Sequence, residues 1–155
     1  MRTIGHMARS YRHQALIEAP LEEVWEIISD PNTHPDWWPE VVGVDAPEEL
    51  HEGDSYTRTS TMSMPFVDAV DSVWVAERLE HLKEAQFRCT MSGSYAHFTL
   101  TPAQDDTYVE LETGMDPTSL KWRVAHSVFG LQYKRWGLDV LDALPDAIRS
   151  RVGTR

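Results

Sequence analysis

Apolar and polar residues alternate one by one along several short segments in the first three quarters of the chain. Such alternation places every second side chain on the same face, which is typical of a strand with one buried face. Together with shorter apolar runs, these segments predict seven strands, and the first runs from Tyr11 to Ala19. The other six begin at Val41, Ser55, Phe66, Glu84, Tyr95 and Tyr108.

Two short helical segments are predicted between the first and second strands. Pro20 lies at or near the first turn of the first helix, where its missing N–H costs nothing. The Asp30-Pro31 pair ends this helix, because a residue before proline is pushed out of α geometry. The Pro-rich segment 32–40 predicts a second short helix or turn packed against the first.

From Ser119 onward the apolar period changes to about 3.6 residues, which is the period of an α-helix. The pattern continues to Ala143, and Pro145 is expected to end or kink the helix near Leu144. One apolar sheet face and one broad apolar helix face must cover each other. The order of elements therefore predicts the α+β class.

The length and the absence of a linker predict a single domain spanning residues 1–155. Residues 1 to about 9 are expected to form an N-terminal arm, and about 150–155 a frayed tail. A membrane span needs ~20 consecutive apolar residues, and no stretch approaches that length.

The composition limits the classes of partner that the protein is expected to bind. A net charge of −11, from 25 acidic and 14 basic residues, repels phosphate backbones and anionic membrane surfaces, so we expect neither nucleic acid binding nor membrane insertion. A lone cysteine, Cys89, cannot form an internal disulfide, which fits a cytoplasmic protein. A homodimer is compatible with this composition.

The segment from Ala15 to Pro31 reads ALIEAPLEEVWEIISDP, and PDWWP follows at 35–39. This resembles the opening of the SRPBCC superfamily, whose signature is a first strand, Ala-Pro-x-x-x-Val-Trp, a helix, Asp-Pro and a turn containing tryptophan. The superfamily joins START-like lipid carriers, polyketide cyclase/dehydrase-like proteins and birch-pollen-allergen-like proteins. The resemblance extends to about Ile148 through the turn before the last strand and the long final helix.

The resemblance implies a helix-grip fold, in which a seven-stranded antiparallel sheet wraps around the C-terminal helix. It also implies a cavity between sheet and helix, where members bind lipids, sterols, polyketides or hormones. It places at least one of Trp37 and Trp38 in the core. Core packing alone would also explain the aromatic residues, whereas a buried arginine or histidine needs a partner. The candidate ligand-binding residues are Tyr11, His13, Tyr56, Arg58, Phe87, Cys89, Phe98, Trp122, His126, Phe129 and Tyr133.

The leading hypothesis is binding or transport of a small hydrophobic or amphipathic ligand in this cavity. The alternative is a polyketide cyclase or aromatase-like enzyme, with His126 and Tyr133 or Tyr56 transferring protons and Arg58 stabilising an oxyanion. A plainer interpretation of His126 is a hydrogen bond to a strand residue. A third hypothesis is a protein-interaction module of the same fold, as in chaperone co-regulators.

Cofactors and metals are not expected. The sequence contains neither HExxH nor a CxxC pair, and His34 with Asp36 is a weak metal pair at best. Glycine-rich phosphate loops of the GxxxxGK and GxGxxG types and the GxSxG hydrolase motif do not occur either.

Overall fold

The structure is a computed structural model that describes residues 10–64, 67–116 and 119–153. Within these ranges it does not describe the side chains of residues 62–64, 67–68, 125–133 and 152–153. The elements are β1 (Ser10–Ile17), α1 (Leu21–Ile28), a 3₁₀ turn (Pro31–Thr33), α2 (His34–Trp37), β2 (Val41–Asp45), β3 (Ser55–Met64), β4 (Val67–Glu80), β5 (Glu84–Cys89), β6 (Ser94–Ala103), β7 (Asp106–Met115) and α3 (Leu120–Gly153).

The strands form one antiparallel sheet in the order β1-β7-β6-β5-β4-β3-β2. Five neighbouring pairs are consecutive in sequence, whereas β1 crosses over to pair with β7. Helix α3 packs mainly on β1 and β7. The predicted α+β class, the seven-stranded antiparallel sheet, the two short helices and the long C-terminal helix are confirmed.

Alternation along the strands orients the side chains as predicted in β1, β5 and β6. Arg12 of β1 is exposed, whereas Ile17, on the other face of the strand, is buried. In β5 and β6 the residues Phe87, Cys89 and Phe98 are buried, and their sequence neighbours are more exposed. These strands therefore have one face in the core and one toward water.

Strand β4 shows where apolar pattern alone misleads. The sequence groups Val67, Ala69, Val73 and Val75 on one side, but the structure buries Trp74 and leaves Val73 47% exposed. Trp74 lies directly opposite the inward-facing Tyr56 of β3 in the antiparallel register, and paired residues share a face. β-branched residues also suit the outer face of a strand, so valine does not mark the core.

Helix α3 continues past the predicted end. Pro145 lies inside the helix, which includes Ser150 and reaches Gly153. Proline cannot donate a hydrogen bond to the carbonyl four residues earlier. Leu144 and Ile148 on either side are buried in the core, and this apolar packing holds the last turns in helical form. No helix among the described residues has both the length and the apolarity needed to cross a membrane.

Gly137 allows α3 to approach β1 closely. A Cβ atom at this position would overlap the His13 ring, lying 2.7 Å from its Nε2 atom and 3.3 Å from the Thr113 hydroxyl. The ring of His13 therefore occupies the space that any larger residue on α3 would need. This contact positions the helix against the edge strand.

We expect Gly137→Ala to reduce the free energy of unfolding by about 1–3 kcal/mol, because an added methyl group must displace packed atoms. Urea denaturation measures this change. Gly137→Ala combined with His13→Ala should lose less stability than the sum of the two single changes. Equal or greater stability of the single variant would contradict the close packing described here.

Candidate functional site

A buried arginine marks the most unusual chemistry in the described interior. Tyr56 and Arg58 are two residues apart in β3, so both side chains point toward the core. Arg58 is 1% exposed and Tyr56 4% exposed. Arginine is almost never fully buried unless it is paired, so its surroundings need an explanation.

Tryptophan rings surround the guanidinium group. Its central carbon lies 4.2 Å from the ring centroid of Trp74, 4.5 Å from that of Trp38 and 5.8 Å from that of Trp136. Trp38 follows α2, Trp74 belongs to β4 and Trp136 to α3, so three elements meet at one cation. The negative faces of the rings attract a positive charge, and this attraction grows when water is excluded.

Two of the three guanidinium nitrogens donate hydrogen bonds. Arg58 Nη2 donates to Glu40 Oε1 at 2.9 Å, and Nε donates to Ser60 Oγ at 3.2 Å. Among the described residues, the buried Nη1 atom has no hydrogen-bond acceptor. The same holds for the hydroxyl of Tyr56. Tyr56 and Arg58, which are neighbours on the inner face of β3, thus each carry a polar atom that has no hydrogen-bond partner in the described part of the chain.

Burial shapes the charges of this cluster. It lowers the pKa of Arg58, while the Glu40 carboxylate raises that pKa. Arginine starts so far above neutrality that it stays charged. Burial also raises the pKa of Glu40 to about 7, although Arg58 acts in the opposite direction. Burial raises the pKa of the Tyr56 phenol, which therefore stays protonated and able to donate.

An aromatic wall from α2 lies next to the arginine. His34, Trp37 and Trp38 are buried, and their rings contact each other. His34 also packs on Phe87, and both tryptophans pack on Phe98. The predicted core role of these tryptophans is confirmed, because both are buried. His34 is a core residue whose Nε2 atom lies 3.2 Å from the Ile28 carbonyl.

The structure brings part of the predicted site together. Tyr56 contacts Phe87 edge-on at 6.2 Å, and Cys89 lies opposite Trp74 in the sheet register. Arg58 of β3 belongs to the same group, because its guanidinium also contacts Trp74. Cys89 is buried.

The other predicted residues lie elsewhere or cannot be placed. Tyr11 and His13 are half-buried on β1, at the opposite edge of the strand order from β2. Trp122 is half-buried near the start of α3, with the Lys121 ammonium 5.4 Å from its ring. The side chains of His126, Phe129 and Tyr133 lie outside the described residues. The cavity between sheet and helix, which depends on this stretch of α3, stays a prediction.

Sequence reasoning missed Glu40, Trp38 and Trp74 as contacts of Arg58. Trp74 could have been found from the register of β3 and β4, which pairs it with Tyr56. Ser60 follows Arg58 by two residues and thus shares its face. Glu40 carries no such signal, because it lies between elements and reaches Arg58 only through the fold.

An open groove of about 690 Å³ lies on the helical side of the molecule. It runs between the short helices and the C-terminal part of α3, and Trp37, Asp36, Asp146 and Arg151 are among its lining residues. It contains none of the predicted ligand-binding residues. Among the described residues, no group of three or more His, Cys, Asp or Glu side chains is placed to hold a metal ion.

Comparison with known proteins gives the family context. The sequence profile of the family described as polyketide cyclase / dehydrase and lipid transport matches residues 8–144. No curated protein sequence matches the chain significantly.

Solved structures share the helix-grip fold at low sequence identity. The Zhui aromatase/cyclase from a Streptomyces species is 16% identical with a TM-score of 0.67, covering 94% of this chain and 96% of that one. A protein from Thermus thermophilus is 15% identical with a TM-score of 0.71, covering 92% and 99%. The AHSA1-like protein from Aeromonas hydrophila is 16% identical with a TM-score of 0.62, covering 92% and 94%. Such identities show a common fold.

His34 should weaken the folded state as the pH falls. Its burial, with the Arg58 charge, lowers its pKa from 6.5 to about 3. Below pH 6.5 the unfolded chain binds a proton at this position that the folded chain does not bind, so the contribution of His34 to the free energy of unfolding falls as the pH drops from 6.5 toward 3. Glu40, whose pKa is raised to about 7, contributes in the opposite direction over part of this range, so the effect of His34 is measured against a variant. Between about pH 7 and pH 5 this contribution amounts to about 2 kcal/mol.

Urea denaturation at both pH values tests this for the wild type and for His34→Gln, whose amide does not titrate. Glu40 titrates in both proteins, so the change in the free energy of unfolding from pH 7 to pH 5 should be more favourable in the variant by about 2 kcal/mol, whatever its stability at neutral pH. An equal change in both proteins would show that His34 does not make this contribution.

Proposed function

This chain belongs to the polyketide cyclase / dehydrase and lipid transport family, and we propose that it binds a small, largely apolar molecule with an oxygen held by Arg58 and Tyr56. The observation that carries the proposal is the pair of buried, unsatisfied polar atoms on β3, Arg58 Nη1 and Tyr56 Oη, among the described residues. Their side chains share one face of the strand, so a single ligand group can approach both.

Burying such polar atoms without partners is energetically unfavourable. A buried donor without an acceptor costs about 1–3 kcal/mol relative to a satisfied one. A ligand oxygen at this position would remove that cost on binding. Small-molecule sites are typically apolar pockets with a few placed polar groups. The tryptophan rings around Arg58 supply the apolar and aromatic surface, and Arg58 with Tyr56 supplies the polar groups.

The predicted cavity would extend this site toward α3. Trp122, His126, Phe129 and Tyr133 are proposed to line it, together with Tyr11 and His13 from β1. Such cavities hold about 300–1,000 Å³. The family description supports this proposal, because it names lipid transport as well as cyclisation.

A cyclase or aromatase-like enzyme is the second candidate, and the same cluster favours it. If a ketone oxygen lay at Arg58, the guanidinium could stabilise the enolate oxyanion that forms when a neighbouring C–H loses its proton. His126 from α3 would accept this proton as the general base, and Tyr133 or Tyr56, whose phenol stays protonated, would donate a proton to the enolate oxygen. Solved relatives named as aromatase/cyclase, including a di-domain protein of the steffimycin pathway, have this fold. For the protein-interaction hypothesis, the part of the chain that the structure describes offers no comparable group of side chains.

The substitution Tyr56→Phe tests the role of the Tyr56 hydroxyl in ligand binding separately from its role in core packing. We expect the affinity for an aromatic ketone, 2-acetylnaphthalene, to fall about fivefold, because one hydrogen bond of ~1 kcal/mol is lost. Stability without ligand should stay equal or rise, because the variant removes a buried hydroxyl that lacks a partner. Isothermal titration calorimetry and thermal denaturation measure the two quantities.

Tyr108→Phe is the matched control, since Tyr108 is 36% exposed and lies outside the cluster. It should bind the ketone as the wild type does. Unchanged affinity in Tyr56→Phe would remove Tyr56 from the site. If a panel of aromatic ketones, phenols and acyl compounds neither binds nor raises the melting temperature of the wild type, the binding proposal is wrong.

The enzyme candidate has its own test. If the chain is a cyclase, incubation with a poly-β-ketone thioester should release a cyclised, dehydrated product that mass spectrometry detects. His126→Ala and Arg58→Lys should each lower the turnover number. A wild type that binds the thioester and returns it unchanged would favour the carrier.

A further inference from the structure

We propose that Glu40 makes the Arg58 site selective for uncharged ligands. The site then accepts a neutral oxygen, such as that of a ketone or phenol, and disfavours a carboxylate. This inference rests on the proposed function and narrows it to a substrate class. It separates neutral aromatic or polyketone-like molecules from fatty acids and other carboxylates.

One guanidinium nitrogen of Arg58 is left for a ligand. The guanidinium carbon lies 4.5 Å from the Trp38 ring centroid and 4.2 Å from that of Trp74, so these two rings cover part of the group. Nε is engaged by Ser60, and Nη2 by Glu40. Carboxylates usually bind arginine through two parallel N–H groups on adjacent nitrogens. Nε and one N–H of Nη2 already donate to Ser60 and Glu40, and Nη1 is the nitrogen without an acceptor among the described residues. A carboxylate bound in this way would therefore have to share Nη2 with Glu40, whereas a single oxygen can accept from Nη1 alone.

The position of Glu40 is fixed by its backbone. The Glu40 carbonyl accepts a hydrogen bond from the Thr61 amide at 2.8 Å and another from the Thr61 hydroxyl at 3.3 Å. Thr61 belongs to β3, three residues after Arg58. The segment that carries Glu40 is therefore attached to the strand that carries Arg58. The fold therefore holds the Glu40 carboxylate next to Arg58, and only 26% of the Glu40 side chain is exposed.

The local charge opposes a second anion. Glu40 already pairs with the one positive charge of Arg58, and the nearby Asp139 carboxylate raises the pKa of Glu40 further. A ligand carboxylate at Nη1 would meet two acidic groups and one cation. At an effective dielectric constant of about 20, one unpaired repulsion over several ångströms lowers affinity roughly tenfold or more.

A neutral oxygen meets no such repulsion. A carbonyl can accept from Nη1 and from the Tyr56 hydroxyl, because neither interaction requires a net charge on the ligand. A phenol can in addition donate its proton to Tyr56 Oη. The apolar body that carries this oxygen would extend into the predicted cavity toward α3.

The test compares two ligands with the same ring system, 2-acetylnaphthalene and 2-naphthoate. Their affinities are measured by calorimetry at about pH 8, where a carboxyl group with a pKa near 7 is mostly ionised. The wild type should prefer the ketone. In Glu40→Gln the ketone-to-carboxylate affinity ratio should fall roughly tenfold, because the amide removes the repulsion and keeps the shape.

Glu48→Gln is the control for net charge, since Glu48 is exposed in the loop before β3. It changes the net charge equally and should leave the affinity ratio as in the wild type. Asp139→Asn is a second variant in case Glu40→Gln does not fold, and it should shift the ratio in the same direction by less. Circular dichroism establishes folding before titration.

The outcomes separate the two proposals. A wild type that binds both ligands and prefers the carboxylate would overturn the charge inference and leave the binding site intact. An affinity ratio that neither Glu40→Gln nor Asp139→Asn changes would do the same. If neither ligand binds the wild type, the binding proposal itself fails for this class, and the charge preference falls with it.

Discussion

The packing of a single guanidinium group constrains much of the described interior. Arg58 lies on β3, and it needs partners from other elements because an isolated charge in an apolar core is very costly. Trp38, Trp74 and Trp136 cover it, and Glu40 neutralises it at 2.9 Å. The end of α2, strand β4 and helix α3 must therefore all lie at fixed distances from one strand.

The aromatic wall of α2 follows from this constraint. Trp38 contacts Arg58 on one side and packs against Trp136 of α3 on another, with ring centroids 5.2 Å apart. His34 packs on Trp38 and is held neutral by burial and by the same arginine charge. A short helix of four residues has little stability of its own, so these contacts give it a fixed place.

The sequence contained most of the fold and about half of the candidate site, for physical reasons that differ between residues. Alternation oriented Arg58 and Phe87 correctly, because a strand has a strict period of two. It grouped the valines of β4 but did not identify the inward-facing Trp74, since the choice between two faces depends on pairing with β3, which local pattern does not encode. Glu40 was missed because its contact spans 18 positions between irregular chain and strand. The end of α3 was misplaced because tertiary packing overrides the local penalty of Pro145.

The buried ion pair of Arg58 and Glu40 also suggests a reason for the aromatic cluster around it. Replacing a buried ion pair with apolar residues of similar volume is often neutral or stabilising by about 1–4 kcal/mol. Stability alone therefore gives little reason for an ion pair of Arg58 and Glu40 to lie among tryptophans in the core. It gives still less reason for Nη1 and the Tyr56 hydroxyl to be buried without partners among the described residues. The ligand oxygen proposed above would give both atoms a hydrogen-bond partner, and the free energy spent on burying them would then be recovered as affinity and orientation.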